Sequence, residues 1–231
     1  MENEQRYFEM TASSNKLLRS SFLYMILGLL VTFLVPVYMI FFNNNLINFV
    51  IRGYYAILIA EVMLVMVLSA RIEKISPMSA KILFFVYSIL NGLVFSMIGL
   101  AVGDIFLIGY TLAITIVMFG LLAIYGYTTK EDLSNYGGYL KTSLLTLLIV
   151  SVLNIFLKAP MLYWIVSIGG VVVFSALTVY DVNKIKQLAY RISDGDPEMV
   201  EKLGVIGALE LYLDFINIFL YLLRIFSKRR N

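Results

Sequence analysis

Gly207-Ala-Leu-Glu-Leu-Tyr-Leu-Asp-Phe-Ile-Asn-Ile-Phe-Leu-Tyr-Leu-Leu-Arg224 is the run that decides how the rest of the chain is read. It sits in an apolar stretch long enough to cross a bilayer, which takes roughly 20 mainly apolar helical residues. Its polar side chains are Glu210, Asp214, Asn217, Tyr221 and Arg224, at spacings of 4, 3, 4 and 3. At about 100° per residue all five fall on one narrow helical stripe. Such a stripe cannot face lipid, so it must face a bundle interior or a wet cavity. Two readings of it stand: a hydrogen-bonding seam between helices, or a path for protons or cations.

The remaining chain supplies the helices that would surround this one. Apolar segments run approximately over 17–42, 50–70, 79–100, 104–126, 141–157, 161–182 and 205–226, the fifth being the shortest. The breaks between them carry turn chemistry: Asn43 to Asn45, Pro77, Gly103-Asp104, Asn135 to Gly138, Lys158 to Pro160, and the polar stretch Asn183 to Gly204. Pro36 falls inside the first span and is expected to kink it. The chain is 61% hydrophobic and 14% charged, whereas globular domains carry about 25% charged residues. A mean hydropathy of +0.88 needs segments whose outer surfaces face lipid. The expected architecture is an all-α membrane protein of seven transmembrane helices, the seventh central, forming a single domain over 1–231. The first apolar run is too long for a signal-peptide core and reads as an uncleaved span.

The sequence has no cysteine and no histidine. That removes disulfides, Cys/His zinc sites, histidine-ligated haem and His-based nucleophile pairs. A seven-span zinc hydrolase fails for want of histidine, and a retinal photoreceptor fails because the seventh span has no lysine. The reading is therefore a protein that is not an enzyme and holds no cofactor. The small net charge of +3 gives no nucleic-acid-binding face. Any proton sensing must use carboxylates or lysines.

Loop charge sets orientation. Arg6, Lys16, Arg19, Arg71, Lys74, Lys81, Lys130, Lys141, Lys184, Lys186, Arg191 and Lys202 fall on one side, against Arg52 and Lys158 in the loops of the other. The N-terminus is expected in the cytoplasm, and loops 43–52, 101–104 and 158–160 outside it. The tail, with Arg224, Lys228, Arg229 and Arg230, stands against this asymmetry.

Ionisable residues within a span usually mark a site. They are Glu61 in the second, Asp181 near the end of the sixth, and Glu210, Asp214 and Arg224 in the seventh. Ser167, Ser175, Thr178 and Asp181 share one face of the sixth, where hydroxyls more often bond backbone or pack helices. Tyr87 and Asn91 in the third are expected to hydrogen-bond between helices. Gly92, Gly99, Gly169, Gly170 and Gly207 are expected to permit close helix packing. If the sixth span begins at Trp164 and the seventh at Ile206, Asp181 lies about 25 Å along its helix, Asp214 about 12 Å and Glu210 about 6 Å. By depth alone Glu210 is the better mate for Asp181; helix tilt would bring Asp214 level.

The segment Gly207–Arg224 closely resembles the signature of the Bax inhibitor-1 family, the transmembrane Bax inhibitor motif proteins. Thr178-Val-Tyr-Asp-Val-Asn-Lys-Ile-Lys186 and Phe84-Phe-Val-Tyr-Ser-Ile-Leu-Asn-Gly-Leu93 agree with it. The resemblance covers nearly the whole chain in span number and loop placement. It implies a pH-sensitive calcium leak in which two aspartates, here Asp181 and Asp214, share a proton and hold the pore shut. It also implies that Glu61 matches a second-span glutamate and Arg71 a basic residue that pairs with the aspartates. The lack of a long charged C-terminal tail resembles prokaryotic members, which places the chain in a plasma (inner) membrane. The family's anti-death role is not carried over.

The leading expectation is thus a cation leak gated by Asp181 and Asp214. Calcium, which prefers hard oxygen ligands, is the expected ion and those two aspartates its expected contacts. Glu61, Arg71, Asn91, Glu210, Asn217, Tyr221 and Arg224 are expected to support the gate or the path. The expected partners are the bilayer, calcium and protons. The alternative is a non-transporting binding protein that regulates a membrane protease or another membrane protein.

Overall fold

The computed structural model describes the backbone of residues 2–42, 44–71, 74–191 and 197–228, and the side chains of 16–42, 46–68, 74–189 and 198–228. The described residues are helical throughout their length apart from short connections. The helices are α1 (Glu2–Phe42), α2 (Asn44–Arg71), α3 (Pro77–Val102), α4 (Ile105–Thr128), α5 (Gly137–Leu157), α6 (Pro160–Arg191) and α7 (Pro197–Lys228), with a 3-10 turn at Leu133–Tyr136. Seven stretches are long and apolar enough to cross a membrane. Of the stretch in α7, 67% is buried, against 44% in α3 and 11% in α2 and α5. The helix with the continuous polar stripe is therefore the most enclosed of the seven, as lipid exclusion requires.

Several ends differ from the expected ones. The second helix begins at Asn44, ahead of residue 50, whereas the fifth, Gly137–Leu157, is the shortest of the seven as expected. Asp132 caps the 3-10 turn by accepting from the Ser134 N–H at 3.0 Å. Gly137 and Gly138 then open α5 instead of breaking the chain. The polar stretch 183–204 is mostly helix, because α6 runs on to Arg191 and α7 starts at Pro197. Polarity there marks where the helices leave the apolar zone. It does not stop them, since Val182, Ile185 and Ala189 still give α6 a buried apolar face.

α3 shows why its ends lie where the sequence placed them. The Ser76 side chain accepts from the Ser79 N–H at 3.2 Å, and Pro77 occupies the first turn, where its missing N–H costs nothing. Gly103 closes the helix at φ 65, a left-handed conformation that glycine adopts without strain.

The expected single membrane domain packs as two compact units, Met1–Ile105 with Ala189–Tyr212 and Phe106–Leu188 with Leu213–Asn231. In the first, α3 packs against α1 and α2. α1 continues through Pro36 as one helix. Pro36 has no N–H for the Thr32 carbonyl, and a methyl on Gly92 would come within 3.0 Å of that carbonyl oxygen. In the second unit, a methyl on Gly126 of α4 would lie 2.6 Å from the Val179 carbonyl oxygen of α6. Gly92 thus permits close packing as expected, whereas Gly99 meets only open space.

Candidate functional site

In the second unit α6 and α7 run antiparallel, and three contacts fix their register. The Arg224 guanidinium lies over the Tyr163 ring at 3.9 Å. A methyl on Gly170 would lie 2.5 Å from the Tyr221 ring, and the Phe174 and Tyr221 ring centroids are 5.9 Å apart. Moving two helical turns, about seven residues, up α6 from Phe174 reaches Asp181. The same step down α7 from Tyr221 reaches Asp214. Two turns also return each helix to nearly the same face. The faces of α6 and α7 that meet at these contacts thus carry Asp181 and Asp214. Both are buried, Asp181 at 8% exposure and Asp214 at 3%. Glu210 is half-buried and belongs to the first unit. The helices begin at Pro160 and Pro197, ahead of the Trp164 and Ile206 from which the sequence measured depth.

The hydroxyls beside Asp181 are turned onto their own helix. Ser167 donates to the Tyr163 carbonyl at 2.6 Å, Ser175 to Val171 at 2.6 Å and Thr178 to Phe174 at 2.8 Å. Asn217 does the same with the Leu213 carbonyl at 2.8 Å. Asn91, expected to bond between helices, instead donates to the Tyr87 carbonyl of its own helix at 3.3 Å. A short side chain four residues on from a carbonyl reaches it more easily than it reaches a neighbouring helix.

Glu61 is half-buried in the first unit and has no ion pair among the described residues. Arg71 ends α2, and its side chain lies outside the described residues. Arg224 and Tyr221 are half-buried at the end of the stripe. Among the described residues no group of three or more acidic side chains forms a metal cluster. A calcium ion, with about six to eight oxygen ligands, would take only part of its shell from Asp181 and Asp214.

Two groups were missed by the sequence reading. Tyr212 is fully buried on the face of α7 opposite Asp214, with Oη 2.6 Å from Thr32 Oγ1. Thr32 Oγ1 also reaches the Gly28 and Ser88 carbonyls at 3.0 Å each. The threonine has one proton to give to a carbonyl, so the tyrosine donates to the threonine. A phenol in an apolar helix needs a buried partner, which was the available signal. The second group secures the end of α4. Lys186 Nζ donates to the Tyr127 and Thr129 carbonyls at 2.8 Å, and Asn183 Nδ2 donates to Gly126 at 3.4 Å. A cation on the last carbonyls complements the negative end of a helix. This accounts for Asn183 and Lys186 within the segment Thr178–Lys186.

The family model described as "Inhibitor of apoptosis-promoting Bax1" matches residues 14–231. The "Inner membrane protein YbhL" of Escherichia coli K12 is 45% identical over 174 residues, covering 75% of this chain and 74% of that protein. An uncharacterized protein of Borreliella burgdorferi is 38% identical over 83% of this chain and 79% of its own length. An uncharacterized membrane protein of Streptococcus pyogenes serotype M1 is 34% identical over 81% of each.

Proposed function

The chain belongs to the Bax inhibitor-1 family of membrane proteins, and from that premise we propose that it is a pH-sensitive cation leak, with calcium as the ion, gated by Asp181 and Asp214. The observation that carries the reading is a pair of buried carboxylates, Asp181 and Asp214, on the faces of α6 and α7 that meet in the second unit. Two carboxylates held close in a poorly solvated site cannot easily both ionise, so one proton is shared. That proton bridges the two helices and keeps the path closed. As pH rises the proton leaves, the anions repel, and a divalent cation becomes the better partner. Opening therefore increases with pH, and calcium assists deprotonation. The protein conducts and performs no covalent chemistry, and it needs no cofactor. A cation that reaches Asp214 leaves the stripe before Arg224, whose charge repels it.

Orientation and compartment belong to the same proposal. The name of the Escherichia coli relative supports a bacterial plasma membrane, and the loop-charge asymmetry supports a cytoplasmic N-terminus. In this cysteine-free chain, Asn44→Cys should react with an impermeant thiol reagent added from outside. Labelling only from the cytosolic side would reverse the topology.

The decisive experiment measures calcium flux from purified protein in liposomes against pH. Flux should rise with pH in the parent. Asp181→Asn and Asp214→Asn should each flatten that rise, and the double variant should add little, because the two act as one unit. Unaltered pH dependence in both well-folded single variants would dispose of the gate. The second reading, a non-transporting regulator of a membrane protease or other membrane protein, draws support from the α6 hydroxyls, whose protons bond their own helix as packing groups do. Absence of flux at every pH from folded protein would favour it.

A further inference from the structure

In the second unit a cavity of about 270 Å³ opens between the end of α5, the start of α6 and the last turns of α7. Lys158, Arg224 and Lys228 line it together with Ser151, Asn154 and Tyr163. Both α7 cations stack on one ring: the Arg224 guanidinium lies 3.9 Å and Lys228 Nζ 4.0 Å from the Tyr163 centroid. The Tyr163 hydroxyl donates to the Arg224 carbonyl at 3.2 Å, which fixes the ring beneath them. The ion pairs among the described residues, Lys81–Glu201 and Lys202–Glu198, lie elsewhere. Three like charges thus gather at one cavity without a carboxylate in its lining. Their mutual repulsion is relieved only by solvent or by an anion.

Lys158 gives an independent pointer. It holds φ 50, and its N–H donates to the Asn154 carbonyl at 2.9 Å to end α5. Glycine is the usual residue in that left-handed cap, and a lysine adopts it only at a backbone cost. Asn154 Oδ1 accepts from the Ala159 N–H at 3.1 Å and fixes the turn that presents it. Ile155, which lines the cavity, is exposed and apolar, as are its chain neighbours Phe156 and Leu157. In a membrane protein such a surface touches acyl chains.

We propose that this cavity is a phosphate-binding site, its ligand a phosphate carried by an anionic lipid headgroup or free in solution. Arg224 supplies a planar donor fork, which suits phosphate oxygens, and the lysines supply point charges. The Asn154 amide nitrogen adds a neutral donor. The apolar rim favours a lipid, whose tails would lie along α5 while its headgroup enters the cavity. Such a ligand also accounts for basic residues at the end of α7 that oppose the loop-charge asymmetry.

The test is thermal unfolding of the full chain in detergent with added phosphatidylglycerol, phosphatidylcholine or inorganic phosphate. Phosphatidylglycerol should raise the melting temperature well beyond phosphatidylcholine. Lys158→Gly suits the cap conformation and so keeps the fold. It should lower the apparent phosphatidylglycerol affinity about tenfold, as expected for one lost charge-assisted hydrogen bond. Lys228→Gln should act in the same direction. Stabilisation by inorganic phosphate equal to that by phosphatidylglycerol, and lost in the same variants, assigns the site to free phosphate. No stabilisation by either, equal stabilisation by the two lipids, or a phosphatidylglycerol effect that survives both variants overturns the proposal.

Discussion

Tyr212 and Asp214 stand two residues apart on α7, and their surroundings differ in kind. In the first unit the Tyr212 hydroxyl meets Thr32 at 2.6 Å, and its ring stands edge-on to Phe84 at 5.6 Å and Tyr87 at 5.8 Å. In the second unit Asp214 is a buried carboxylate on the face of α7 that meets α6, whose Ser175 and Thr178 hydroxyls bond their own helix. A neutral hydroxyl pair inside aromatic packing has no charge to change near neutral pH, so it locks helices together whatever the pH. A carboxylate changes charge where its environment allows. The same helix thus carries a hydroxyl lock in one half and an ionisable group in the other.

The comparison can be broken most directly at Tyr212. Tyr212→Ala removes a fully buried ring and should cost about 3–5 kcal/mol, read as a large fall in melting temperature in detergent. A loss below about 1 kcal/mol would mean that the first half is no lock. Gly126→Ala probes packing in the second unit without touching a charge. Its new methyl would meet the Val179 carbonyl oxygen at 2.6 Å, and backbone cannot turn away as a side chain can. The expected cost is about 1–3 kcal/mol, and no measurable change would show that α4 and α6 separate easily. Tyr212→Phe keeps the ring and deletes one hydrogen bond, for about 1 kcal/mol, with the flux–pH profile unmoved. Asp214→Asn should cost least, under about 1 kcal/mol, because an amide keeps a donor and an acceptor as a protonated carboxyl does. It alone of these four should flatten the dependence of calcium flux on pH. Should Asp214→Asn unfold the protein as severely as Tyr212→Ala, both halves of α7 would be structural.

Much of the fold was legible because membrane helices announce themselves locally. Seven apolar stretches, the Pro77 start of α3, its Gly103 stop and the enclosure of α7 all follow from residues within a turn or two. The ends of α6 and α7 were not legible, since loss of hydropathy marks the edge of the apolar zone and not the end of hydrogen bonding. Asn91 was assigned a partner helix and bonds its own. Arg224 was grouped with an ion path on its stripe alone; in three dimensions it shares Tyr163 with Lys228 and a cavity with Lys158. The Thr32–Tyr212 bond joins residues 180 positions apart, beyond any periodicity.

The sequence by itself determined the seven spans, the polar stripe of α7 and the set of groups available for chemistry. Helical period and hydropathy depend on neighbours a few residues away, and one chain contains all of them. Only the tertiary structure decided which faces of α6 and α7 meet, and that three cations line one cavity. Those pairings depend on where each helix begins and how two helices slide past one another. The contacts between Tyr163, Gly170 and Phe174 of α6 and Tyr221 and Arg224 of α7 set that register, and no local pattern encodes it.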